Sequence, residues 1–196
     1  MKILLFGFIT IFTFSFDSFA IKNTHPEPIK FTFTERIQNY DSILRKALIG
    51  KKIEYISGFP LESDSILKYP IQSKVTILNF WFTKCPTCKL ELNALQKLNF
   101  TKDDLSILLI TSTNRDIVKE FVKREKVDLP IIIDRFASIR QQLQLPSMYP
   151  ITIFINQNHE IFEVIIGGPK DFNDVNQFTN KLLNIVNSSL QGRRVQ

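Results

Sequence analysis

A chain of 196 residues with 44% hydrophobic and 22% charged residues has a globular composition and is long enough to bury a core, so one main domain is expected. The net charge of +6 could attract acidic partners, but the lysines are spread along the chain and no nucleic-acid-binding motif accompanies them. We therefore exclude nucleic-acid binding and interpret the charge as that of an ordinary solvated surface.

The N-terminal segment has the layout of a secretory signal peptide. Lys2 is followed by an almost uncharged run from Ile3 to Phe16, and the small residues Ser18 and Ala20 occupy the two positions that a signal peptidase recognises. The run is shorter than the ~20 residues that cross a bilayer, which favours cleavage after Ala20 over a membrane anchor. An uncleaved signal would instead keep the chain attached to the membrane.

The elements before residue 75 are weakly marked. Apolar and polar residues alternate over 29–34, a pattern typical of a half-buried strand. Residues 35–48 are compatible with a helix that Gly50 would stop, and residues 52–57 could form another strand.

From residue 75 the pattern is clearer. Residues 75–82 form a nearly continuous β-prone apolar run, which predicts a central strand buried on both faces. Pro86 suits the first turn of a helix, where its missing N–H is not needed, and this helix should extend to about Asn99.

The later elements alternate between strands and helices and end in a hairpin with a turn at residues 156–159. They are predicted as strand 105–111, helix 116–126, strand 129–134, helix 136–143, strands 151–155 and 161–166, and helix 171–190. Such alternation implies an α/β fold with a parallel sheet and crossover helices.

The chain has two cysteines, Cys85 and Cys88, three positions apart in a C-x-x-C motif. A bridge that closes so short a loop restrains the unfolded chain little, so the pair is more plausibly chemical than structural. At the end of a strand and the start of a helix, free N–H groups and the helix dipole favour the reactive thiolate of Cys85. Lys84 adds a cation beside it, and Cys88, one turn further on and shielded by the helix, is the natural resolving thiol.

A metal site is the main alternative for a C-x-x-C motif. No second cysteine pair exists, and the two histidines, His25 and His159, fall in a linker and at the predicted hairpin tip. We therefore predict no zinc and no cofactor. A copper-binding chaperone and a non-catalytic binding module remain alternatives to an enzyme.

The segment Phe80–Glu91 resembles the active-site region of the thioredoxin superfamily and is more narrowly similar to TlpA/ResA-like envelope oxidoreductases. The shared features are a signal or anchor, the Asn-Phe-Trp approach to the motif, and a Glu three residues after the second Cys. The resemblance implies a thioredoxin-like fold, a central mixed sheet flanked by helices, with a strand-helix unit inserted within 113–134. The segments are then signal peptide 1–20, N-terminal extension 21–49, thioredoxin-like domain 50–190 and flexible tail 191–196.

The same resemblance implies a function. Proteins of this kind exchange disulfides with other exported proteins and often reduce apocytochrome c thiols before haem attachment. It implies a location in the periplasm or at the extracytoplasmic face of the bacterial inner membrane. Disulfide-containing exported proteins and a membrane electron donor would be the partners.

The resemblance also assigns a substrate groove. Pro150 matches the family's cis-proline, which faces the dithiol and exposes backbone groups to a bound substrate strand; the alternative is an ordinary trans proline that starts a strand. Tyr149 stands before it, where small or β-branched residues are commoner. The family commonly has proline before the second Cys, whereas here Pro86 follows the first. The expected substrate-binding residues are Trp81, Lys84, Pro86, Thr87, Tyr149 and Pro150.

Glu91 is the remaining candidate catalytic residue. By the same resemblance, Asn79 occupies the strand position where classical thioredoxins place a buried aspartate, and an amide cannot accept a proton at physiological pH. At about 100° per residue, Glu91 falls within the apolar stripe of its helix, one turn from Cys88. Burial would raise its pKa and suit it to proton exchange near neutral pH. The alternative is that Glu91 only favours the helix dipole.

Overall fold

The computed structural model describes residues 33–98, 100–101 and 103–192. Its helices and strands alternate as the sequence predicts from β3 onward. In chain order they are α1 (Phe33–Leu48), β1 (Tyr55–Pro60), β2 (Leu67–Pro70), β3 (Val75–Phe80), α2 (Pro86–Leu95), β4 (Leu105–Thr111), α3 (Arg115–Glu125), β5 (Ile131–Ile133), α4 (Ser138–Gln142), β6 (Ile151–Asn156), β7 (Ile161–Ile166) and α5 (Asp174–Leu190).

The strands form one mixed sheet in the order β2-β1-β5-β4-β3-β6-β7. Strands β3, β4 and β5 run parallel to one another, whereas the other neighbouring pairs are antiparallel. This mixed sheet with flanking helices confirms the predicted fold class. Every residue of β3 is buried, but β4 holds the middle position, because β1 and β2 extend the sheet beyond β5.

Helices cover both faces of the sheet and create two cores. Side chains alternate between the faces along a strand, so Val75 and Ile77 pack in the core that contains residues of α2, α3 and α5. Leu78 and Phe80 pack in the opposite core with residues of α1 and α4. Asn79 shares the face of Val75 and Ile77, which directs it towards α2.

The N-terminal extension forms a helix in its described part. The strand expected at 29–34 is wrong at its last two positions, because Phe33 and the residue after it begin α1; residues 29–32 lie outside the described ranges. The helix ends as predicted near Gly50, which has a φ of +85°. Arg45 donates to Glu163 on β7, so α1 is anchored to the edge of the sheet.

Several boundaries differ from the predictions. The strand expected at 52–57 begins only at Tyr55, and Lys52 forms an isolated bridge with Glu160. The edge strand β2 has mostly exposed residues and therefore carries no apolar signal. Helix α2 ends at Leu95, short of the expected end.

Residues 113–134, the range expected to supply an inserted unit, contain α3 and β5. The Asn114 side chain accepts a hydrogen bond from the backbone N–H of Asp116 at the start of α3, and Lys126 ends the helix in a left-handed conformation. Strand β5 then pairs with both β4 and β1. Across the described ranges, no helix combines the length and apolar character needed to cross a membrane.

Candidate active site

The dithiol lies where the chain leaves β3 and enters α2. Cys85 occupies the N-cap position in an extended conformation, with Pro86 at the start of the helix. The backbone N–H of Cys88 donates to Cys85 Sγ over 3.1 Å, and the two cysteines are joined in a disulfide. Sulfur therefore takes the place of the oxygen that normally caps a helix. In the reduced protein, the same N–H and the helix dipole would stabilise a thiolate on Cys85.

The two sulfurs differ in accessibility. Cys85 is 7% exposed and Cys88 is 1% exposed, so an incoming disulfide reaches Cys85 first. Lys84 and Pro86 flank Cys85 and are exposed, while Thr87 is half-buried. This arrangement fits the predicted division into an attacking and a resolving thiol.

Trp81 lies at the start of the dithiol loop, and its side chain packs into the core. Its side chain is completely buried and its ring centroid lies 5.1 Å from that of Phe121 on α3. The expectation that Trp81 contacts substrate is therefore corrected: an indole that packs between the sheet and α3 has no surface left for a partner.

The segment around Pro150 adjoins the dithiol loop. Ile151 pairs directly with Phe80 across β6 and β3, so Pro150 lies at the same sheet edge as the residues that follow β3. The Tyr149–Pro150 peptide bond is cis, as predicted. The Tyr149 ring meets the edge of Phe82 at 5.0 Å, and the Phe82 carbonyl accepts a hydrogen bond from the Cys85 N–H. These contacts connect Tyr149 to the dithiol loop through Phe82, and a substrate groove between the two segments stays a prediction.

Glu91 is the centre of a buried polar network. Asn79 Nδ2 donates to Glu91 Oε2 at 2.7 Å and to Thr152 Oγ1 at 2.8 Å, and Thr152 Oγ1 donates to Glu91 Oε1 at 2.7 Å. Asn79 and Thr152 are direct cross-strand neighbours on β3 and β6. The sheet therefore presents two donors to the carboxyl group that α2 brings down onto it.

Burial governs the protonation of Glu91. The side chain is fully buried, and the loss of solvation raises its pKa to about 7, while the hydrogen bonds from Thr152 and Asn79 act in the opposite direction. A carboxyl group in this state can hold or release a proton near neutral pH. The burial inferred from the helical periodicity is thus observed, and the role of Glu91 in proton transfer stays a prediction.

Comparisons with known proteins agree with this geometry. A family model described as Redoxin matches residues 65–182, which is more than half of the chain and runs from the start of β2 into α5. The chain belongs to the Redoxin family.

Within this family, the sequence is similar to proteins that are named thiol-disulfide oxidoreductases. Thiol-disulfide oxidoreductase ResA of Halalkalibacterium halodurans is 32% identical over 111 residues, covering 55% of this redoxin and 62% of that protein. Sporulation thiol-disulfide oxidoreductase A of Bacillus subtilis is 28% identical over 107 residues, covering 52% and 64%. This redoxin thus spans less than two thirds of the length of either curated relative.

A solved structure supports the fold. The crystal structure of StoA from Bacillus subtilis matches with a TM-score of 0.51 and 23% identity, over 66% of this chain and 98% of that one. Together with the family match and the named relatives, it confirms the resemblance to the TlpA/ResA-like branch of the thioredoxin superfamily.

Two residues of the site were missed by the sequence analysis. Thr152 stands two positions after Pro150 in a run of isoleucine and phenylalanine, a polar interruption that could have been noticed. Gly168 follows β7, and a Cβ there would lie 3.2 Å from Glu91 Cβ and 3.3 Å from Thr87 Cγ2. Glycine therefore lets this loop approach the start of α2 closely.

The geometry gives little support to a copper site. Within the described ranges, no three His, Cys, Asp or Glu side chains are grouped so that they could hold a metal ion. His159 follows the far end of β6, and Pro150 precedes its near end, so the strand separates the histidine from the dithiol edge by roughly 20 Å. His25 lies outside the described residues.

Replacing Thr152 with valine should raise the pKa of Glu91 above about 7, because the hydrogen bond from Thr152 is one of the two contacts that hold this pKa down. A carbon-13 NMR titration of the labelled Glu91 carboxyl group measures the change. Thr179→Val is the matched control, since its buried hydroxyl donates to the Val175 carbonyl within α5. An unchanged or lowered Glu91 pKa in Thr152→Val would contradict the network.

Proposed function

We propose that this redoxin is a thiol-disulfide oxidoreductase that reduces disulfides of exported proteins through Cys85 and Cys88. The observation that carries the proposal is the position of Cys85, whose sulfur caps α2, accepts the Cys88 N–H and is bonded to its partner thiol. Its greater exposure supports the role of attacking thiol. The relatives named thiol-disulfide oxidoreductase support the same chemistry.

The reaction starts from the reduced dithiol. The Cys85 thiolate attacks one sulfur of a substrate disulfide, forms a mixed disulfide and expels the other substrate sulfur as a thiolate, which then takes a proton. Cys88 loses its proton and attacks Cys85 Sγ, which releases the second substrate thiol and closes the Cys85–Cys88 bridge. Two electrons pass from the dithiol to the substrate, and a dithiol donor at the membrane restores the reduced state.

Glu91 accepts the proton of Cys88 in the second step. It lies one turn from Cys88 on α2, is enclosed by the same core, and has a pKa near 7. A thiol buried to 1% exposure cannot give its proton directly to bulk water, so a titratable neighbour is needed. The Asn79 and Thr152 donors hold the ionised carboxylate that is ready to accept this proton before the transfer.

Substrate would bind across the exposed edge beside Cys85. Lys84, Pro86 and Thr87 lie next to Cys85 in the chain, and the ring of Tyr149, which precedes Pro150, contacts Phe82, whose carbonyl accepts the Cys85 N–H. The predicted signal at residues 1–20 supports export to the periplasm or the extracytoplasmic membrane face. The resemblance to TlpA/ResA-like proteins supports the disulfides of apocytochromes c among the substrates.

The reduced protein should catalyse the reduction of insulin disulfides with dithiothreitol as donor, because an activated surface thiolate exchanges with accessible disulfides. Turbidity from the released insulin chain measures the rate, and Cys85→Ser provides the inactive control. A protein that binds partners without chemistry would show no turnover.

The reduction potential of the Cys85–Cys88 couple tests the direction of electron flow. A reductase needs a potential near that of thioredoxin, roughly −270 mV, whereas a value near −120 mV is that of a periplasmic oxidant. The more oxidising value would reverse the proposed direction.

A further inference from the structure

Arg140 on α4 is a buried cation that has no carboxylate partner among the residues that the structure describes. The residue is 8% exposed, and its Nη2 has no hydrogen-bond partner in the part of the chain that the structure describes. None of the ion pairs formed by the described residues includes it. Burying an unpaired charge is costly, so the contacts that this guanidinium does make require an explanation.

The main contact of Arg140 is the ring of Tyr149. The guanidinium carbon lies 4.5 Å from the ring centroid, within the range of a cation–π interaction, which strengthens when water is excluded. The ring also meets the edge of Phe82 in a T-shaped contact at 5.0 Å. Because the Phe82 carbonyl accepts the Cys85 N–H, the ring is held between the buried cation and the dithiol loop.

The backbone that carries Arg140 is itself anchored. The Asp134 carboxylate, which follows β5 and is 3% exposed, accepts from the backbone N–H groups of Ile139 and Arg140 and from the Ser138 hydroxyl. The start of α4 is therefore fixed to the end of a sheet strand. Asp134 thus fixes the backbone that carries the Arg140 guanidinium, and the guanidinium contacts the ring of Tyr149, which is partially exposed.

We propose that Arg140 is a positioning residue, which holds the Tyr149 ring against the dithiol loop and so defines the wall of the substrate groove beside Pro150. The inference rests on the proposed disulfide exchange with polypeptide substrates. Arg140 affects how tightly a polypeptide binds in the groove, whereas the disulfide exchange itself is carried out by the thiols.

Steady-state kinetics with insulin test the proposal. Arg140→Met keeps the side-chain length and removes the cation, and it should raise KM about fivefold to tenfold while kcat changes less than about twofold. Arg140→Lys retains a cation and should return KM to within about threefold of the wild-type value. Arg124→Met is the matched control, because Arg124 lies 5.5 Å from the ring of Phe121 on the surface of α3, and it should leave KM unchanged.

A second measurement does not depend on activity. Nuclear Overhauser contacts between the rings of Tyr149 and Phe82 should be present in the wild type and Arg140→Lys and weakened in Arg140→Met. The proposal is overturned if both KM and the ring contacts are unchanged in Arg140→Met. It is also overturned if kcat falls by the same factor as KM rises and the melting temperature is lowered. If the wild type shows no turnover, the proposed function fails, and the ring contacts alone then decide the role of Arg140.

Discussion

Replacing Cys88 with serine is expected to stop turnover and to leave Cys85 joined to substrate proteins in stable mixed disulfides. The first step needs only the Cys85 thiolate, whose sulfur is the more exposed and accepts the Cys88 backbone N–H. The second step needs a thiol at position 88, which serine does not supply. We expect insulin turnover to fall by on the order of a thousandfold or more, since a member of a catalytic pair is removed. Non-reducing electrophoresis of the protein expressed from its full 196-residue sequence shows the trapped partners.

Cys85→Ser is the matched control for this experiment. It should lose turnover to the same extent and trap nothing, because Cys88 is 1% exposed and lies behind the first turn of α2. Equal trapping by the two variants would mean that either sulfur can attack, and the assigned roles would then be wrong.

Replacing Glu91 with glutamine should slow the release of the mixed disulfide about a hundredfold, the lower end of the range for loss of a general base. The amide is close in shape to the carboxyl group and can stay between Asn79 and Thr152, so the fold should persist. In the wild type, release should accelerate as the pH rises through about 7, where Glu91 becomes able to accept a proton. This step in the pH profile should be absent from Glu91→Gln in stopped-flow measurements.

The same substitution should change how stability depends on pH. The folded pKa of Glu91 is about 7, against an ordinary value of 4.5, so between these values the folded protein holds a proton that the unfolded chain has lost. The contribution of Glu91 to stability is therefore greatest at low pH and falls as the pH rises towards 7. Denaturant titrations should show a loss of about 2 to 3 kcal/mol in the free energy of unfolding from pH 5 to pH 8, in excess of that of Glu91→Gln.

Glu125→Gln is the control for both measurements. Glu125 forms ion pairs with Lys89 and Arg124 at the surface, and these cations hold its pKa below the ordinary value. Its substitution should leave the alkaline loss of stability and the pH profile of release in place. Parallel pH dependences of wild type and Glu91→Gln would make Glu91 a structural residue.

Much of the site was predictable because its signals are local. The apolar run before the dithiol predicts β3, and the limits of β4 at Leu105 and Thr111 agree with the structure to the residue. The helical period alone placed Glu91 in the buried stripe of α2, since the direction of a side chain on a helix depends only on its position in the turn. The cysteine spacing and the start of a helix at Pro86 likewise depend on neighbouring residues.

The tertiary structure decided the contacts between residues that are far apart in the chain. Thr152 faces Asn79 only because β6 pairs with β3 in one register, and a slip of one residue would turn its hydroxyl away from Glu91. The Tyr149 ring receives Arg140 only because Asp134 fixes α4 at the end of β5. Gly168 borders the dithiol helix only once β7 has paired with β6. A sequence pattern records the period of each element, whereas register, loop closure and the burial of a charge are set by the packed sheet as a whole.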